Sequence, residues 1–370
     1  MTRRGLLGLL GSATSRGAAG PPAAPVAVAH CRSYSEDVAA ILSTMFDQLG
    51  GLGRIVKNKT ITVKLNLTGE PRWRLAGKPP GETHYTNPSV VEAFVYLLQG
   101  AGPRRIRLVE SCAGTAAPME EYLLDCGWPV RRLQSAAPRL EFENTNALGK
   151  ARRYSRLKAP DGYLFPAFDV NHSYVDTDVF ATVGKLKNHA TCGVTLSWKN
   201  CFGMTPASIY GDDAGDDEPN ESPMKGRGSV LHFGLRPPSR SAPQELDPGS
   251  SRAPGYRVPR IVADLVAARP TDLAILDGIH TIAGGEGPWI RGVRPVEPGL
   301  LMAGTNPVST DAVATAVMGY DPRAELGTPP FDNCDNTLRL AEARGLGTTD
   351  LKRIDVRGLS IRQALFRFSA

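Results

Sequence analysis

An α/β fold is predicted for this 370-residue chain: mostly parallel strands with flanking helices, Rossmann-like βαβ units and one long loop insertion. Two observations predict it. Short β-branched runs alternate with amphipathic stretches of helical period, the pattern of βαβ units. One segment, residues 208–257, breaks that alternation with an acidic run followed by dense Pro, Ser and Gly.

The elements follow in order. PVAVAH (25–30) is a strand, and Ser35 and Asp37 open a helix with Val38, Ile41, Leu42, Met45, Phe46 and Leu49 on one face, stopped by Gly50-Gly51. TITVKLNL (60–67) alternates as a strand. Asn87-Pro88 supplies an N-cap and a proline at the first helical position, and Gly100 and Gly102 end that helix. Residues 105–109 form a strand and 117–126 a helix. Residues 178–183, 273–276 and 300–303 read as buried strands, and 261–268, 308–318 and 337–344 as helices. The insertion is read as a solvated loop with His232 as an ordered island. Its acids lack the EF-hand spacing. The domain reading is a leader or tail over residues 1–20 and one α/β domain over 26–370.

Composition narrows the partners. The net charge is +6, of which Arg3, Arg4 and Arg16 supply +3 with no acid in the first 20 residues. So even a balance over the rest is no nucleic-acid footprint. No run approaches the ~18 apolar residues of a membrane span. The opening MTRRGLLGLL reads as a twin-arginine export signal, which would make the protein periplasmic, or as a disordered basic tail on a cytoplasmic one. None of the six cysteines has CxxC spacing, so no intrinsic iron–sulfur motif is present.

Chemistry concentrates where strands end, because ligands of α/β sheets bind at the carboxyl ends of strands. Lys64 and Asn66 lie two apart at the end of TITVKLNL and share a face, an arrangement suited to a carboxylate or phosphate. His84 precedes the Asn87-Pro88 helix start. The densest segment is GKLKNHATCGVTLSWKNCFG (184–203): Lys185, Lys187 and His189 alternate, and Lys199-Asn200 follow. Cations this dense depress one another's pKa unless an anion lies among them. The functional reading is an anionic substrate bound by Lys64, Asn66, Lys185, Lys199 and Asn200, with His189, Lys187 and Asp277 as the catalytic set. The alternative is a structural salt-bridge network. His84, His189 and His232 are candidate ligands of a transition metal. Asp277 closes the strand LAIL before a turn with Gly284, Gly285, Glu286 and Gly287, which lacks both GxxxxGK and GxGxxG. Glu110 and Asp311 are further acids, at a strand end and a helix start.

In order along the chain, VKLNL, HYTNPSVVEAF, GKLKNHATCGVTLSWKNCFG, His232, LAILDGI with GEGP, AGTNPVSTDAVA and LRLAEARGLG resemble the family called domain of unknown function 362, over roughly residues 26–357. Asn188 stands where that family usually has Thr. The resemblance implies a fold and a site rather than a reaction. Other members are often exported by the Tat route or fused to iron–sulfur ferredoxin modules; this chain lacks the cysteine-rich ferredoxin portion, so the resemblance implies export and a separate redox partner. Two functions follow: a redox-associated or metal-assisted enzyme acting on a small anion, or a non-catalytic binding protein for a carboxylate or phosphate.

Overall fold

The longest strand, Val179–His189, is buried at every position and runs through the middle of the sheet. The computed structural model describes residues 21–146 and 154–369, so the candidate export signal lies outside the described residues. In chain order the strands are β1 (Val26–His30), β2 (Thr60–Lys64), β3 (Arg105–Glu110), β4 (Leu140–Asn144), β5 (Tyr154–Lys158), β6 (Ala167–Asn171), β7 (Val179–His189), β8 (Gly193–Leu196), β9 (Leu273–Gly278), β10 (Thr281–Ala283), β11 (Arg294–Val296), β12 (Leu300–Gly304) and β13 (Val356–Gly358). The main sheet has the order β13-β1-β12-β9-β7-β2-β3-β4, with β8 paired to β7. From β9 to β4 every pairing is parallel, and β1 also runs parallel to β13. β12 is antiparallel to both β1 and β9, and β8 is antiparallel to β7. β5–β6 and β10–β11 are separate two-stranded ribbons.

The sheet is therefore mostly parallel α/β, as the alternation predicts. Helices cover both faces. One face carries Leu42, Phe46, Phe94 and Leu98 against Ile61, Val63 and Leu108. The other carries Ile261, Val262 and Leu265 with Phe180 and Trp198. Helix Pro88–Ala101 starts where the sequence places it: the Asn87 side chain accepts from Ser89 N, and Gly102 closes it in the left-handed region at φ 75°.

Two expectations need correction. β7 extends six residues beyond 183, because β8 and β9 flank its second half and take up its hydrogen bonds. The helix expected over 261–268 begins at Pro254, so the irregular insertion ends before residue 257. Pro259 lies inside this helix, and the carbonyl it cannot bond to, Gly255 O, instead accepts from Asp335 N at 2.9 Å. The proline density that reads as loop is thus compatible with helix once a neighbouring segment supplies the missing donor. Within the insertion the acids serve as local acceptors: Asp212 Oδ1 takes Ser229 N at 2.6 Å and Asp216 pairs with Arg236 at 2.7 Å.

Candidate functional site: a cavity at the carboxyl ends of β2, β3 and β7

Parallel strands end together, so Lys64, Glu110 and His189 arrive at one edge of the sheet. There they line a cavity of about 250 Å³ with Asn66, Lys199, Asn200, Arg227, His232, Glu286 and Trp289. The insertion contributes Arg227 and His232, so it forms one wall of the cavity.

Lys64 forms the floor. Its ammonium donates to Glu110 Oε1 at 2.6 Å, to Leu65 O at 2.8 Å and to Asn200 Oδ1 at 3.3 Å. Asn66 Nδ2 donates to the same Asn200 oxygen at 2.9 Å, and Asn200 Nδ2 donates to Thr182 Oγ1 at 2.6 Å. Glu110 also accepts from the Leu67 and Ser111 N–H groups. The strand-end acid noted in the sequence is thus the partner of the strand-end lysine. Gly203 lies against this pair, and a Cβ there would come within 2.7 Å of Lys64 Nζ.

Lys199 differs. It follows a tight turn in which Leu196 takes φ 50°. Buried Asp311, on helix Pro307–Val317, holds that turn by accepting from Ser197 N, Ser197 Oγ and Trp198 N at 3.1, 2.6 and 2.8 Å. Burial pushes the Asp311 carboxyl up to about 7, against these three donors. Asp311 is therefore a brace for the lysine-bearing turn. Lys199 Nζ sits 4.0 Å over the Phe202 ring and has no hydrogen-bond or ion-pair partner among the described residues. Burial lowers its pKa to about 8; the field of Cys192 and Glu286 works the other way, and Arg227 and Lys64 add to the lowering. Arg227, by contrast, is engaged: Nε donates to Thr205 O at 2.7 Å and a terminal nitrogen to Ser111 Oγ.

The two cavity histidines are neutral, for related reasons. Burial pushes His189 well below 6.5, against the pull of Glu286, whose Oε2 is 3.8 Å from Nδ1; Lys199 and His232 push further down. Burial lowers His232 to about 4, with Lys199 adding to it. Their hydrogen bonds assign opposite tautomers. His189 Nδ1 accepts from Thr191 N at 3.2 Å, which leaves the ring proton on Nε2. His232 Nδ1 lies 3.3 Å from Arg227 O, a pure acceptor, so the proton is on Nδ1 and Nε2 keeps its lone pair. Burial alone would raise the Glu286 carboxyl, but the N–H groups of Ala190 and Trp289 donate to it and work to hold it below the usual carboxylate range.

The remaining sequence candidates lie elsewhere. Lys185 Nζ donates to Asp277 Oδ2 at 2.8 Å, Tyr34 OH at 3.1 Å and Gly81 O at 3.1 Å, and both ionic side chains are fully buried. Asp277 also accepts from Tyr34 OH, Asn87 N and Ile279 N. Lys187 Nζ donates to His84 O at 2.7 Å and Glu286 O at 2.9 Å. The two lysines therefore stitch β7 to the 81–84 loop. Neither they nor Asp277 line the cavity, and the carboxylate facing His189 is Glu286, not Asp277. His84 is fully buried outside the cavity, its Nδ1 on Thr83 Oγ1 at 3.0 Å and its pKa lowered to about 2 by burial and then by Lys187. Only His189 and His232 of the three histidines share the cavity, and no group of three or more His, Cys, Asp or Glu side chains placed to hold a metal ion occurs among the described residues.

The sequence reading missed Arg227 and Trp289. An Arg beside His232 in an insertion otherwise read as solvated was the available signal for the first. A Trp directly after the Gly-rich GEGP turn was the signal for the second.

A family model described as a domain of unknown function, DUF362, matches residues 61–316. The thylakoid-associated protein sll1697 of Synechocystis sp. is 27% identical over 298 residues, covering 79% of this chain and 74% of that protein. A solved structure from Thermotoga maritima is similar with a TM-score of 0.37 and 15% identity over 73% of this chain, and the lactate racemase apoprotein of Thermoanaerobacterium thermosaccharolyticum with 0.36 and 10% over 74%. The chain spans 56% and 54% of those two proteins. No helix among the described residues is long and apolar enough to cross a membrane.

Proposed function

Since the chain belongs to the DUF362 family, whose description names no activity, its chemistry has to be read from the cavity, and we propose that the cavity binds a small carboxylate or phosphate anion against Lys199. One observation carries this reading: the Lys199 side chain is buried at the cavity wall, its ammonium over the Phe202 ring and without a hydrogen-bond or ion-pair partner among the described residues. A buried charge without a counter-charge is costly. Lys64 and Arg227 have their acceptors inside the protein; Lys199 has none among the described residues, and an arriving oxyanion supplies one.

Calorimetric titration with acetate and with inorganic phosphate tests this. Lys199→Met should weaken binding at least about tenfold, the scale of one charge-assisted hydrogen bond. The pH profile follows from the lowered pKa. The ammonium is charged below about 8 and neutral above it, so acetate, whose charge is fixed over this range, should bind progressively more weakly as pH rises through about 8. Binding that is indifferent both to Lys199→Met and to this pH range removes the proposal.

The second reading, an acid–base enzyme acting on the bound anion, is favoured by the opposite tautomers of His189 and His232. A neutral imidazole presenting Nε2–H and another presenting a bare Nε2 offer one proton donor and one proton acceptor in the same cavity. A passive binding site for an anion has no use for the acceptor. The three-histidine metal set is left out of this proposal, because His84 stands outside the cavity.

A further inference from the structure

Trp289 lines the cavity and its ring centroid stands 5.0 Å from that of Trp73 at 51°, each tryptophan being 41% exposed. Large aromatic rings left in water at a cavity mouth call for a partner. Trp289, the one that lines the cavity, is held on several sides. Its Nε1 donates to Glu286 Oε1 at 3.2 Å, and the His84 ring packs edge-on at 5.8 Å. Two glycines make room for it: a Cβ at Gly287 would stand 2.1 Å from its ring and one at Gly69 2.6 Å. Gly69 is also at φ 93°, where any side chain is strained. A surface tryptophan seated by a carboxylate, an imidazole edge and two obligatory gaps is a fixed platform. The same Glu286 that orients Trp289 faces His189, so the platform and the cavity wall share one anchor.

The cavity volume of about 250 Å³ is below the ~300–1,000 Å³ of sites that enclose a whole drug-sized ligand. It accommodates an anionic head, and whatever the head is attached to must leave across the rim. Resting on the anion-binding reading, we infer that the ligand is an aryl or heteroaryl phosphate or carboxylate whose flat ring lies on Trp289 while its anionic group reaches Lys199. An indole face recognises a planar π system by offset stacking and discriminates it from a saturated ring of similar size.

The test uses three phosphate monoesters of equal charge: methyl, cyclohexyl and phenyl phosphate, titrated into the whole protein. Phenyl phosphate should bind about tenfold more tightly than methyl phosphate, and cyclohexyl phosphate should recover only a small part of that gain. Trp289→Leu, which keeps an apolar side chain at the position, should erase the phenyl preference, read as the ratio of phenyl to methyl phosphate affinity within the variant, whatever the change does to both affinities together; a cooperative unfolding transition confirms that the variant is folded. Equal binding of phenyl and cyclohexyl phosphate overturns the aromatic class, since it reports apolar cover alone. A phenyl preference that survives in Trp289→Leu overturns the platform. If methyl phosphate binds and phenyl phosphate gains nothing, this inference fails while the anion reading stands. If none of the esters binds, both fail together.

Discussion

Lys185 and Lys199 stand fourteen positions apart in one basic segment, and both are buried. Around Lys185 the protein supplies a carboxylate, a phenol and a carbonyl, one for each ammonium proton. Around Lys199 it supplies the face of a ring. The difference separates scaffold from site. A buried cation whose acceptors are all internal locks segments together, here β7 to β9 and to the 81–84 loop. A buried cation lacking them stores a preference for an acceptor from outside. Density of positive charge in a sequence does not distinguish the two; the count of internal acceptors does.

The largest effects should fall on the scaffold side. Breaking the Lys185–Asp277 pair by Asp277→Asn or Lys185→Met leaves one buried partner unsatisfied, which costs about 3–5 kcal/mol. The double substitution Lys185→Met/Asp277→Asn should cost clearly less than the sum of the singles, because no orphaned charge remains. At Lys199 the same Lys→Met change removes a charge that has no internal partner, so stability should move by less than about 1 kcal/mol or rise. Urea unfolding of the four variants measures this. A Lys199→Met loss as large as that of Lys185→Met would erase the distinction between the two lysines.

A sharper version concerns Lys64, which belongs to both regions: it is fully paired, yet it floors the cavity. Gly203→Ala places a methyl 2.7 Å from Lys64 Nζ and 3.0 Å from Glu110 Oε1, so the pair has to shift. The expected cost is about 1–3 kcal/mol of stability, the range of overpacking in a tight interior, together with weaker acetate binding as the floor moves. Gly203→Ala at wild-type stability would mean that the floor is softer than its hydrogen bonds imply.

The fold was legible because its signals are local. Asn87-Pro88 and Gly102 bound a helix by cap chemistry, and the strand runs are apolar and β-branched. The strand-end positions of Lys64, Asn66 and His189 were legible too, since parallel strands deliver their ends to one edge, whereas Lys199 and Asn200 reach the cavity on the short helical turn that follows β8. What escaped depends on contacts distant in sequence. Lys187 reads like Lys199 until the His84 and Glu286 carbonyls fold onto it. Asp277 reads as a catalytic strand-end acid until Lys185, Tyr34 and two main-chain N–H groups occupy it. The start of helix Pro254–Ala268 was hidden because Asp335 N, 80 residues beyond Gly255, supplies the donor that Pro259 lacks.

The smallest effect discriminates between histidines, and it extends the comparison from cations to neutral rings. His84 belongs to the scaffold, with Thr83 Oγ1 on Nδ1 and a buried Nε2 that has no partner. His189 and His232 belong to the cavity, and their main-chain contacts demand opposite tautomers. In ¹⁵N-resolved spectra near pH 7, His189 should show its proton on Nε2 and His232 on Nδ1, with neither ring charged. The sign on acidification follows from the lowered pKa: burial and the nearby Lys199 disfavour the imidazolium, so His232 should take its second proton only as pH falls through about 4. Bound inorganic phosphate, still a monoanion in this acidic range, brings a compensating negative charge beside Lys199, so it should raise the His232 midpoint. Identical tautomers in the two rings would remove the donor–acceptor pairing. A His232 midpoint unmoved by phosphate would place the anion away from the wall that Lys199 and His232 share.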